Sequence, residues 1–472
     1  MNPEFLSQRI TLLGLGIFSG GAGAARFFAM RGAEVTVTDR KTAGELQSSI
    51  DTLSAWPAIR YVLGTHRDED ITTADLVVVS PAIPDRNPFV QLAQQLGIPL
   101  TTEINLVFER CPAPIIGITG SNGKTTTTSL TGALLEAQDA RVLVGGNIGR
   151  SILNDLDETV PDTPVVLELS SFQLHRLSWT ASSPHIAVIT NITPNHLDWH
   201  ETYAAYVHAK QHIVRYQNQD DLAILNADDE AIRSWGPLCP GRVFWFSIDR
   251  PVEIGCFLRD GHIIYRDETN EQRVCPVEML RLPGRHNLSN ALAAVTVACV
   301  CGLPAALIQQ VVADFRGVAH RLEWVAKKGG VGYYNDSACT TPTSTIIALQ
   351  AFDRALVLIA GGSDKGTPFD EMAAEIVQHT RAVVLIGDTA EAIEHAIRQQ
   401  PVSPPVIVHA VSMEDAVARS AELARSGDVV VLSPACASFG MFTNFEDRGR
   451  QFKAAVEGLH PVSSDPMYRA GL

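Results

Sequence analysis

The sequence predicts an α/β fold divided into three domains. Strands rich in Val, Ile and Leu alternate with helical segments in the first, middle and last parts of the chain. Several of these strands stop at a glycine turn that leads into a helix. The chain has 472 residues, too many for one ordinary core, and its length fits three domains of roughly 100–200 residues. We place the domains at residues 1–102, 103–316 and 317–472.

Composition narrows the class of protein. Apolar residues make up 46% and charged residues 19%, which is typical of a globular protein, and the formal charge of −15 disfavours a nucleic-acid partner. The eight cysteines form no C-x-x-C pair, the nearest two being Cys299 and Cys301, which favours a reducing compartment. Neither a signal peptide nor an 18-residue apolar run is present, so we expect a cytoplasmic protein with no membrane partner.

The first domain opens with a βαβ unit. A strand at 10–13 runs into the turn Gly14-Leu-Gly16, a helical segment follows, and a second strand ends at Asp39, where an acid could hold a nucleotide ribose. A later strand ends at Ser80, at the edge where doubly wound sheets bind ligands. The Gly-x-Gly turn alone is weak evidence for a particular ligand. A nicotinamide dehydrogenase would show the same turn, and a turn that needs positive φ explains each glycine equally well.

The second domain carries a phosphate-binding motif. The apolar strand 115–118 runs through Thr119-Gly-Ser-Asn-Gly-Lys124-Thr125 into a helix, so backbone N–H groups and the helix dipole face an anion. Lys124 can reach the outer phosphates of a nucleotide, and the Thr125 hydroxyl can bind the accompanying Mg²⁺. Ile118 stands where the general P-loop pattern has glycine, so this is a shorter variant. The alternative is a glycine-rich turn beside a solvated lysine.

Polar residues end the next apolar strands of this domain. Strand 141–144 leads to Asn147, strand 164–167 to Glu168 and then Ser170 and Gln173, and strand 185–190 to His196. Because the carboxyl ends of parallel strands meet at one edge, these side chains should face the P-loop ligand. Glu168 and His196 suit a divalent metal beside the phosphates, and helix capping or turn formation is the structural alternative.

The end of the second domain and the third domain continue the alternation. We predict a turn at 284–290 followed by a helix from Ala291, and a third domain that begins near Gly317. Its strands alternate with helices, and loops after two of them carry Lys365 and Ser438. The predicted strands lie at 354–359, 382–386, 406–409 and 428–432.

A set of motifs in one order along nearly the whole chain resembles the Mur ligase family. The motifs begin at Thr119, Gly145, Leu167, Asn191, Leu225, Leu282, Ala319, Asn335 and Leu432. The resemblance implies a Rossmann-like domain that binds a UDP-linked substrate, a central P-loop-type ATPase domain with a mostly parallel sheet, and a C-terminal Rossmann-like domain. Two of the motifs resemble those of the branch that adds D-glutamate to UDP-N-acetylmuramoyl-L-alanine. They are Leu167-Glu-Leu-Ser-Ser-Phe-Gln and Leu432-Ser-Pro-Ala-Cys-Ala-Ser.

The resemblance also implies a mechanism and a set of site residues. ATP would phosphorylate the substrate carboxylate, and the amine of D-glutamate would attack the acyl phosphate, in a monomeric enzyme with two Mg²⁺ ions. The residues expected to bind ATP are Gly120, Ser121, Asn122, Gly123, Lys124, Thr125, Thr126, Asn290, Arg321 and Asp336. Those expected to bind metal are Thr125, Glu168, His196 and Lys210, and the catalytic set is Lys124, His196 and Lys210. The residues expected to bind the two substrates are Asp39, Arg40, Ser80, Asn147, Ser170, Gln173, Thr340, Lys365, Ser438 and Phe445.

Two positions need separate comment. By the same resemblance, Lys210 would be carboxylated by CO₂. This reaction requires a neutral amine, which burial and nearby cations favour by lowering the pKa of a lysine. The spacing of the residues alone favours a solvated surface lysine. Ala338 stands where the family usually has lysine after Asn-Asp-Ser, so Arg321 or Lys365 would carry more of the charge near the γ-phosphate.

Three other functions remain open at this stage. Another amide ligase of the same superfamily, such as one that adds glutamate to folate, would share the ATPase core but has no need for a UDP-binding domain. A dehydrogenase would bind a nicotinamide cofactor at Gly14-Leu-Gly16. A non-catalytic nucleotide-binding module would not need Glu168, His196 or Lys210.

Overall fold

The computed structural model describes residues 4–17, 19–138, 141–364 and 366–459. Lys365, predicted to bind substrate, lies outside the described residues. The chain divides into two compact units, the first comprising Met1–Val277 and Ser289–Val311 and the second Glu278–Leu288 and Val312–Leu472. Within the described ranges the named strands form three sheets, of five, nine and six strands. The α/β class predicted from the alternation of strands and helices is confirmed.

The first sheet is parallel throughout, with strand order β3-β2-β1-β4-β5. The order reverses between β1 and β4, and a doubly wound sheet binds its ligand at the carboxyl ends of the strands at such a point. Its elements are β1 (Arg9–Leu13), α1 (Ser19–Met30), β2 (Glu34–Asp39), α2 (Gln47–Asp51), β3 (Arg60–Leu63), α3 (Asp68–Thr72), β4 (Leu76–Val79), α4 (Pro88–Gln95), β5 (Leu100–Thr101) and α5 (Glu103–Arg110).

The second sheet also belongs to the first unit and has the order β14-β13-β12-β11-β10-β9-β6-β8-β7. Its strands are parallel from β7 to β12, and β13 and β14 extend it as antiparallel strands. The strands are β6 (Ile115–Thr119), β7 (Leu143–Gly146), β8 (Val165–Glu168), β9 (Ile186–Ile189), β10 (Leu222–Asn226), β11 (Arg242–Ser247), β12 (Gly255–Arg259), β13 (His262–Arg266) and β14 (Glu271–Pro276).

Helices accompany this sheet along the chain. They are α6 (Lys124–Glu136), α7 (Ser171–Leu177), α8 (Leu197–His200), α9 (Tyr203–Arg215), α10 (Glu230–Arg233), α11 (Arg285–Val300) and α12 (Ala305–Asp314), with 3-10 helices at Leu153–Glu158, Gly236–Leu238 and Val277–Met279. The central strands β6, β8 and β9 are fully buried, as expected for apolar strands covered on both faces. One continuous core joins apolar side chains of the first two sheets.

The second unit contains the third sheet, with the order β15-β16-β20-β17-β18-β19. Among the described strands of this sheet, β15 pairs with β16 in an antiparallel manner, and the other pairings are parallel. The elements are β15 (Glu323–Lys328), β16 (Val331–Asn335), α13 (Pro342–Gln350), β17 (Leu356–Gly361), α14 (Asp370–His379), β18 (Thr380–Ile386), α15 (Ala390–Arg398), β19 (Val406–His409), α16 (Met413–Leu423), β20 (Val429–Leu432) and α17 (Phe445–Gly458).

One boundary predicted from the sequence is wrong. The predicted turn at 284–290 is already helical, because α11 begins at Arg285 and not at Ala291. Gly284 has a φ of 88°, in the left-handed region, and the Asn287 side chain donates to the Pro283 carbonyl at 2.7 Å, so polar residues occupy the first turns of the helix. Among the described helices, none combines the length and the apolar character needed to cross a membrane.

Candidate active site

The motif at the end of β6 folds as a strand, a tight glycine turn and a helix. Gly123 has a φ of 81° and precedes α6, which starts at Lys124. A Cβ on Gly123 would lie 2.1 Å from Asn290 Oδ1, and one on Gly120 would lie 1.9 Å from Thr190 Oγ1. Both positions therefore require glycine, and the buried Asn290 packs directly against the turn. Thr126 is half-buried in the first turn of α6.

The loop that follows β9 holds this turn in place. Asn122 donates its backbone N–H to Asn191 Oδ1 at 2.9 Å. The Ser121 hydroxyl lies 2.7 Å from the Tyr206 hydroxyl and accepts the Thr193 N–H at 2.8 Å. Two of the predicted ATP-binding residues thus shape the loop with their own polar groups. The roles of Asn191 and Tyr206 were not predicted from the sequence, although Asn191 lies just two residues after the end of a buried strand.

Glu168 lies at the carboxyl end of β8 and is 2% exposed. Thr125 Oγ1 donates to Glu168 Oε2 at 2.7 Å, and Asn147 Nδ2 donates to Glu168 Oε1 at 2.7 Å. The structure therefore brings three of the predicted residues together beside the first turn of α6. As the sequence predicts, polar residues at the ends of neighbouring parallel strands meet at one edge of the sheet.

Two lysines donate to the same carbonyl oxygen of the glycine turn. Lys124 Nζ lies 3.1 Å from the Gly120 oxygen and 3.0 Å from that of Ser121. Lys210 Nζ, on α9, lies 2.9 Å from the Gly120 oxygen and 3.0 Å from Thr119 Oγ1. Lys210 is 2% exposed, so the alternative of a solvated surface lysine is wrong. Burial, with the charge of Lys124, holds the pKa of Lys210 well below its usual value, against the opposing charge of Glu168.

His196 immediately precedes α8 and is the exposed member of the predicted metal-binding set. Its ring packs edge-on against Phe172, with centroids 4.9 Å apart. Partial burial, together with the positive charges of Lys124 and Lys210, lowers the pKa of His196, which favours the neutral imidazole that a metal requires.

The donors at this edge fit magnesium. A threonine hydroxyl and a carboxylate are hard oxygen ligands, and Mg²⁺ is commonly held by one or two protein carboxylates together with substrate phosphates and water. The described residues contain no cluster of three or more His, Cys, Asp or Glu side chains able to hold an ion alone. A metal here would therefore depend on Thr125 and Glu168 together with the nucleotide.

Ser170 and Gln173, both predicted to bind substrate, have a clear local role. They form a capping box at the start of α7, in which Ser170 Oγ accepts the Gln173 N–H at 3.2 Å and Gln173 Oε1 accepts the Ser170 N–H at 2.9 Å. Helix capping is therefore a structural role of these two residues that the sequence did not predict, and their contact with substrate stays a prediction.

The predicted substrate residues of the first sheet lie around the point where its strand order reverses. A Cβ on Gly14 would lie 2.8 Å from the Ser80 Cβ, so the ends of β1 and β4 touch. Asp39 Oδ2 accepts the backbone N–H groups of Leu15 at 2.9 Å and Gly16 at 3.0 Å. The Asp39 carboxylate therefore stabilises the glycine turn, while Arg40 is exposed.

In the second unit, Asp336 follows β16 and is buried at the carboxyl edge of the third sheet. Its carboxylate accepts the Ser433 hydroxyl at 2.9 Å and the Leu322 N–H at 3.1 Å, and burial raises its pKa to about 7. Arg321 is exposed, and Thr340 lies four residues after Asp336.

Ser438 and Phe445 lie on and just after the loop that follows β20. Ser438 is buried, and Phe445 is the first residue of α17. The fully buried Arg448 donates to the Cys436 oxygen at 3.1 Å and to the Ser337 oxygen at 2.9 Å, which ties this loop to the one after β16. The role of Arg448 was not predicted, because the sequence around an arginine inside a helix does not indicate that its side chain is buried.

A glycine turn between strand and helix, at the carboxyl edge of a mostly parallel sheet, defines the class of α/β proteins built on a P-loop-type unit. Three domain profiles match the chain: the MurD-like N-terminal domain of Mur ligases at residues 8–102, the Mur ligase middle domain at 118–298, and the Mur ligase glutamate ligase domain at 320–436. The chain belongs to the Mur ligase family.

Relatives with nearly the same length carry a common name. The UDP-N-acetylmuramoylalanine–D-glutamate ligase of Roseiflexus sp. strain RS-1 is 42% identical over 97% of this chain and 100% of its own length. The enzyme of the same name from Symbiobacterium thermophilum is 41% identical over 96% of this chain and 99% of its own. Among solved structures, the UDP-N-acetylmuramate-alanine ligase of Thermotoga maritima has the same fold, with a TM-score of 0.58 and 19% identity over 95% of this chain and 99% of its own.

Proposed function

We propose that this protein is a cytoplasmic, ATP-dependent ligase that joins D-glutamate to UDP-N-acetylmuramoyl-L-alanine by an amide bond. The observation that carries the proposal is the match over almost the full length, at about 40% identity, to relatives named for that reaction. The geometry at the end of β6 and β8 supports it, because an amide ligase that uses ATP needs a phosphate-binding turn beside a metal-binding carboxylate.

The reaction needs an activated acyl group. A carboxylate resists attack by an amine because of its negative charge and its resonance, so the γ-phosphoryl group of ATP is first transferred to it, and the amine of D-glutamate then displaces phosphate from the acyl phosphate. In such a transfer the protein mainly positions the groups and neutralises their charge. Lys124, at the start of α6, has a flexible ammonium within reach of the turn that would hold the phosphates.

Magnesium, when bound, would neutralise the phosphate charge and allow two anions to approach each other. Thr125 and Glu168 would hold one ion and His196 a second, on the basis of their oxygen and imidazole donors. We also propose that the neutral amine of Lys210 adds to CO₂ and releases one proton to solvent, giving a carbamate that would ligate the second ion. Its burial and its donor contacts with Thr119 and Gly120 support a tightly held amine next to the turn.

The residues that would contact the substrates and the nucleotide are part of the proposal. Asp39, Arg40 and Ser80 would contact the UDP-linked substrate at the first sheet, with Asn147, Ser170 and Gln173 near its reactive end. Thr340, Lys365, Ser438 and Phe445 would bind D-glutamate, and Asn290, Arg321 and Asp336 the nucleotide. A monomer acting on small molecules, without nucleic acid or membrane, is the proposed working form.

Phosphate release from ATP and Mg²⁺ tests the function directly. We expect release only when UDP-N-acetylmuramoyl-L-alanine and D-glutamate are both present, with L-glutamate, L-lysine and meso-diaminopimelate inactive in place of D-glutamate. Lys124→Ala is the matched control for contaminating ATPase, and it should lower the rate at least about 10³-fold, equivalent to about 4 kcal/mol. Undiminished coupling in that variant would contradict the proposed role of the turn.

The same assay separates the alternatives. Release that depends on a folate and L-glutamate would identify the other amide ligase. Thermal stabilisation by NAD but not by ATP with Mg²⁺ would identify a dehydrogenase, because a ligand stabilises only the fold that binds it. Nucleotide binding without any substrate-dependent turnover would indicate a non-catalytic nucleotide-binding module.

A further inference from the structure

A short loop of the first sheet contacts two segments that carry predicted metal ligands. This loop, Ala82–Arg86, follows β4 and is called here the edge loop. It belongs to the same compact unit as the second sheet. Its polar groups contact α8, which begins directly after His196, and α7, which begins shortly after Glu168.

Arg86 caps the carboxyl end of α8. Its Nη1 donates to the Trp199 oxygen at 3.0 Å and to Glu201 Oε1 at 3.1 Å, and its Nη2 donates to the Asp198 oxygen at 2.9 Å. The last carbonyl groups of a helix have no partner within it, and a guanidinium satisfies several of them at once. Trp199 Nε1 adds a bond to the Ala82 oxygen at 3.2 Å.

The helix α8 depends on such external contacts. It has four residues, and one turn of helix is unstable by itself in water. His196 before it has a φ of 53° and Glu201 after it has a φ of 68°, backbone conformations that are uncommon for residues with side chains. The surrounding contacts must therefore fix the segment, and with it the orientation of His196.

Asp85 makes the corresponding contacts with α7. Its carboxylate accepts a hydrogen bond from the guanidinium of Arg176, which is fully buried, and another from His175 Nε2 at 2.7 Å. Arg176 Nη2 also donates to the Ile83 oxygen at 2.5 Å. The edge loop is thus bonded to both helices, and Phe172 of α7 in turn packs against the His196 ring.

We infer that Arg86 is a positioning residue for the metal site: through the carbonyl groups of α8 it fixes His196 relative to Glu168. The inference rests on the proposed metal-binding role of these two residues. It predicts that loss of the Arg86 guanidinium weakens metal binding without a matching loss of stability, because Arg86 is half exposed and its hydrogen bonds go to partly or fully exposed residues.

The test compares Arg86→Met with Arg9→Met. Arg9 forms a similar surface ion pair with Asp75 at 2.8 Å, and its exposed fraction of 53% matches the 50% of Arg86. Mn²⁺ is titrated into each protein in the presence of a non-hydrolysable ATP analogue, and free Mn²⁺ is followed by electron paramagnetic resonance. We expect the Kd of Mn²⁺ to rise about tenfold in Arg86→Met and to stay within about twofold in Arg9→Met.

A conservative variant makes the test independent of folding. Arg86→Lys keeps the charge but has a single donor nitrogen in place of the guanidinium fork, so we expect a smaller rise in the Kd of Mn²⁺, about threefold. An unchanged Kd in both Arg86 variants would overturn the inference, as would an equal rise in Arg9→Met. If the wild-type protein binds Mn²⁺ but releases no phosphate with D-glutamate, the proposed function fails while the comparison of Kd values still decides the role of Arg86.

Discussion

Two buried glutamates of the first unit, Glu168 and Glu103, differ in what surrounds them. Glu168 ends a parallel strand and accepts a hydrogen bond on each oxygen, from Thr125 and Asn147. Glu103 is the first residue of α5, and its side chain accepts a hydrogen bond from Ser151 Oγ at 2.5 Å. Burial raises the pKa of Glu103 to about 7, against the opposing effect of Ser151.

The difference shows that burial alone does not identify a functional carboxylate. Glu168 lies where the ends of three parallel strands and a glycine turn converge, so its charge faces the region predicted for phosphate and metal. Glu103 instead lies where α5 and the residues around 151 pack together. We therefore expect changes at Glu168 to affect turnover and changes at Glu103 to affect stability.

The largest effect expected from this comparison is that of Glu168→Gln. The amide keeps the shape of the side chain but removes the negative charge that would bind Mg²⁺, so phosphate release with both substrates should fall about 10³-fold, or about 4 kcal/mol in transition-state free energy. Steady-state assays over a range of Mg²⁺ concentrations measure the loss. A fall smaller than about tenfold would show that the strand-end position carries no chemistry.

The buried Lys210, which interacts electrostatically with Glu168, gives the second prediction. Lys210→Ala should lower turnover about 10²-fold, because the proposed carbamate is lost, and acetate or formate should restore part of the rate by supplying a carboxylate in the space left by the side chain. Lys327→Ala, on a strand of the second unit, is a control for general effects of added carboxylate on lysine variants. A Lys210→Ala enzyme with full activity would remove this residue from the mechanism.

The fold was predictable because its signals are local. A few consecutive residues are enough to predict an apolar strand such as β6 or β9, or the glycine turn before α6. The start of α11 was not predictable, since Arg285, Asn287 and Ser289 look like turn residues and only packing makes them helical. Strand order is likewise set by long-range pairing.

The site was predictable in part for the same reason. Polar residues at strand ends identify Glu168 and Asn147, because parallel strands bring their carboxyl ends to one edge. The burial of Lys210 could not be read from its helix, where spacing favours a surface position. Tyr206, Arg86 and Arg448 act through hydrogen bonds between distant parts of the chain, and such contacts leave no pattern in the neighbouring sequence.

The smallest effect concerns Glu103→Gln, which should leave turnover unchanged and alter the pH dependence of stability. The folded protein holds a proton on Glu103 up to a pKa of about 7, whereas the unfolded chain releases it near 4.5. Between these values the unfolded state binds fewer protons, so the stability that Glu103 contributes is complete below pH 4.5 and is lost as the pH rises through 7. Glutamine stays neutral throughout.

The free energy of unfolding of the wild type should therefore fall relative to that of Glu103→Gln, by on the order of 2–3 kcal/mol between pH 5 and pH 8, and should change no further above that. Urea denaturation of both proteins at pH 5, 6, 7 and 8 measures the difference, and phosphate release checks that turnover is retained. A constant difference across the series would mean that Glu103 is ionised in the folded state. Location in the fold alone would then separate the two buried glutamates.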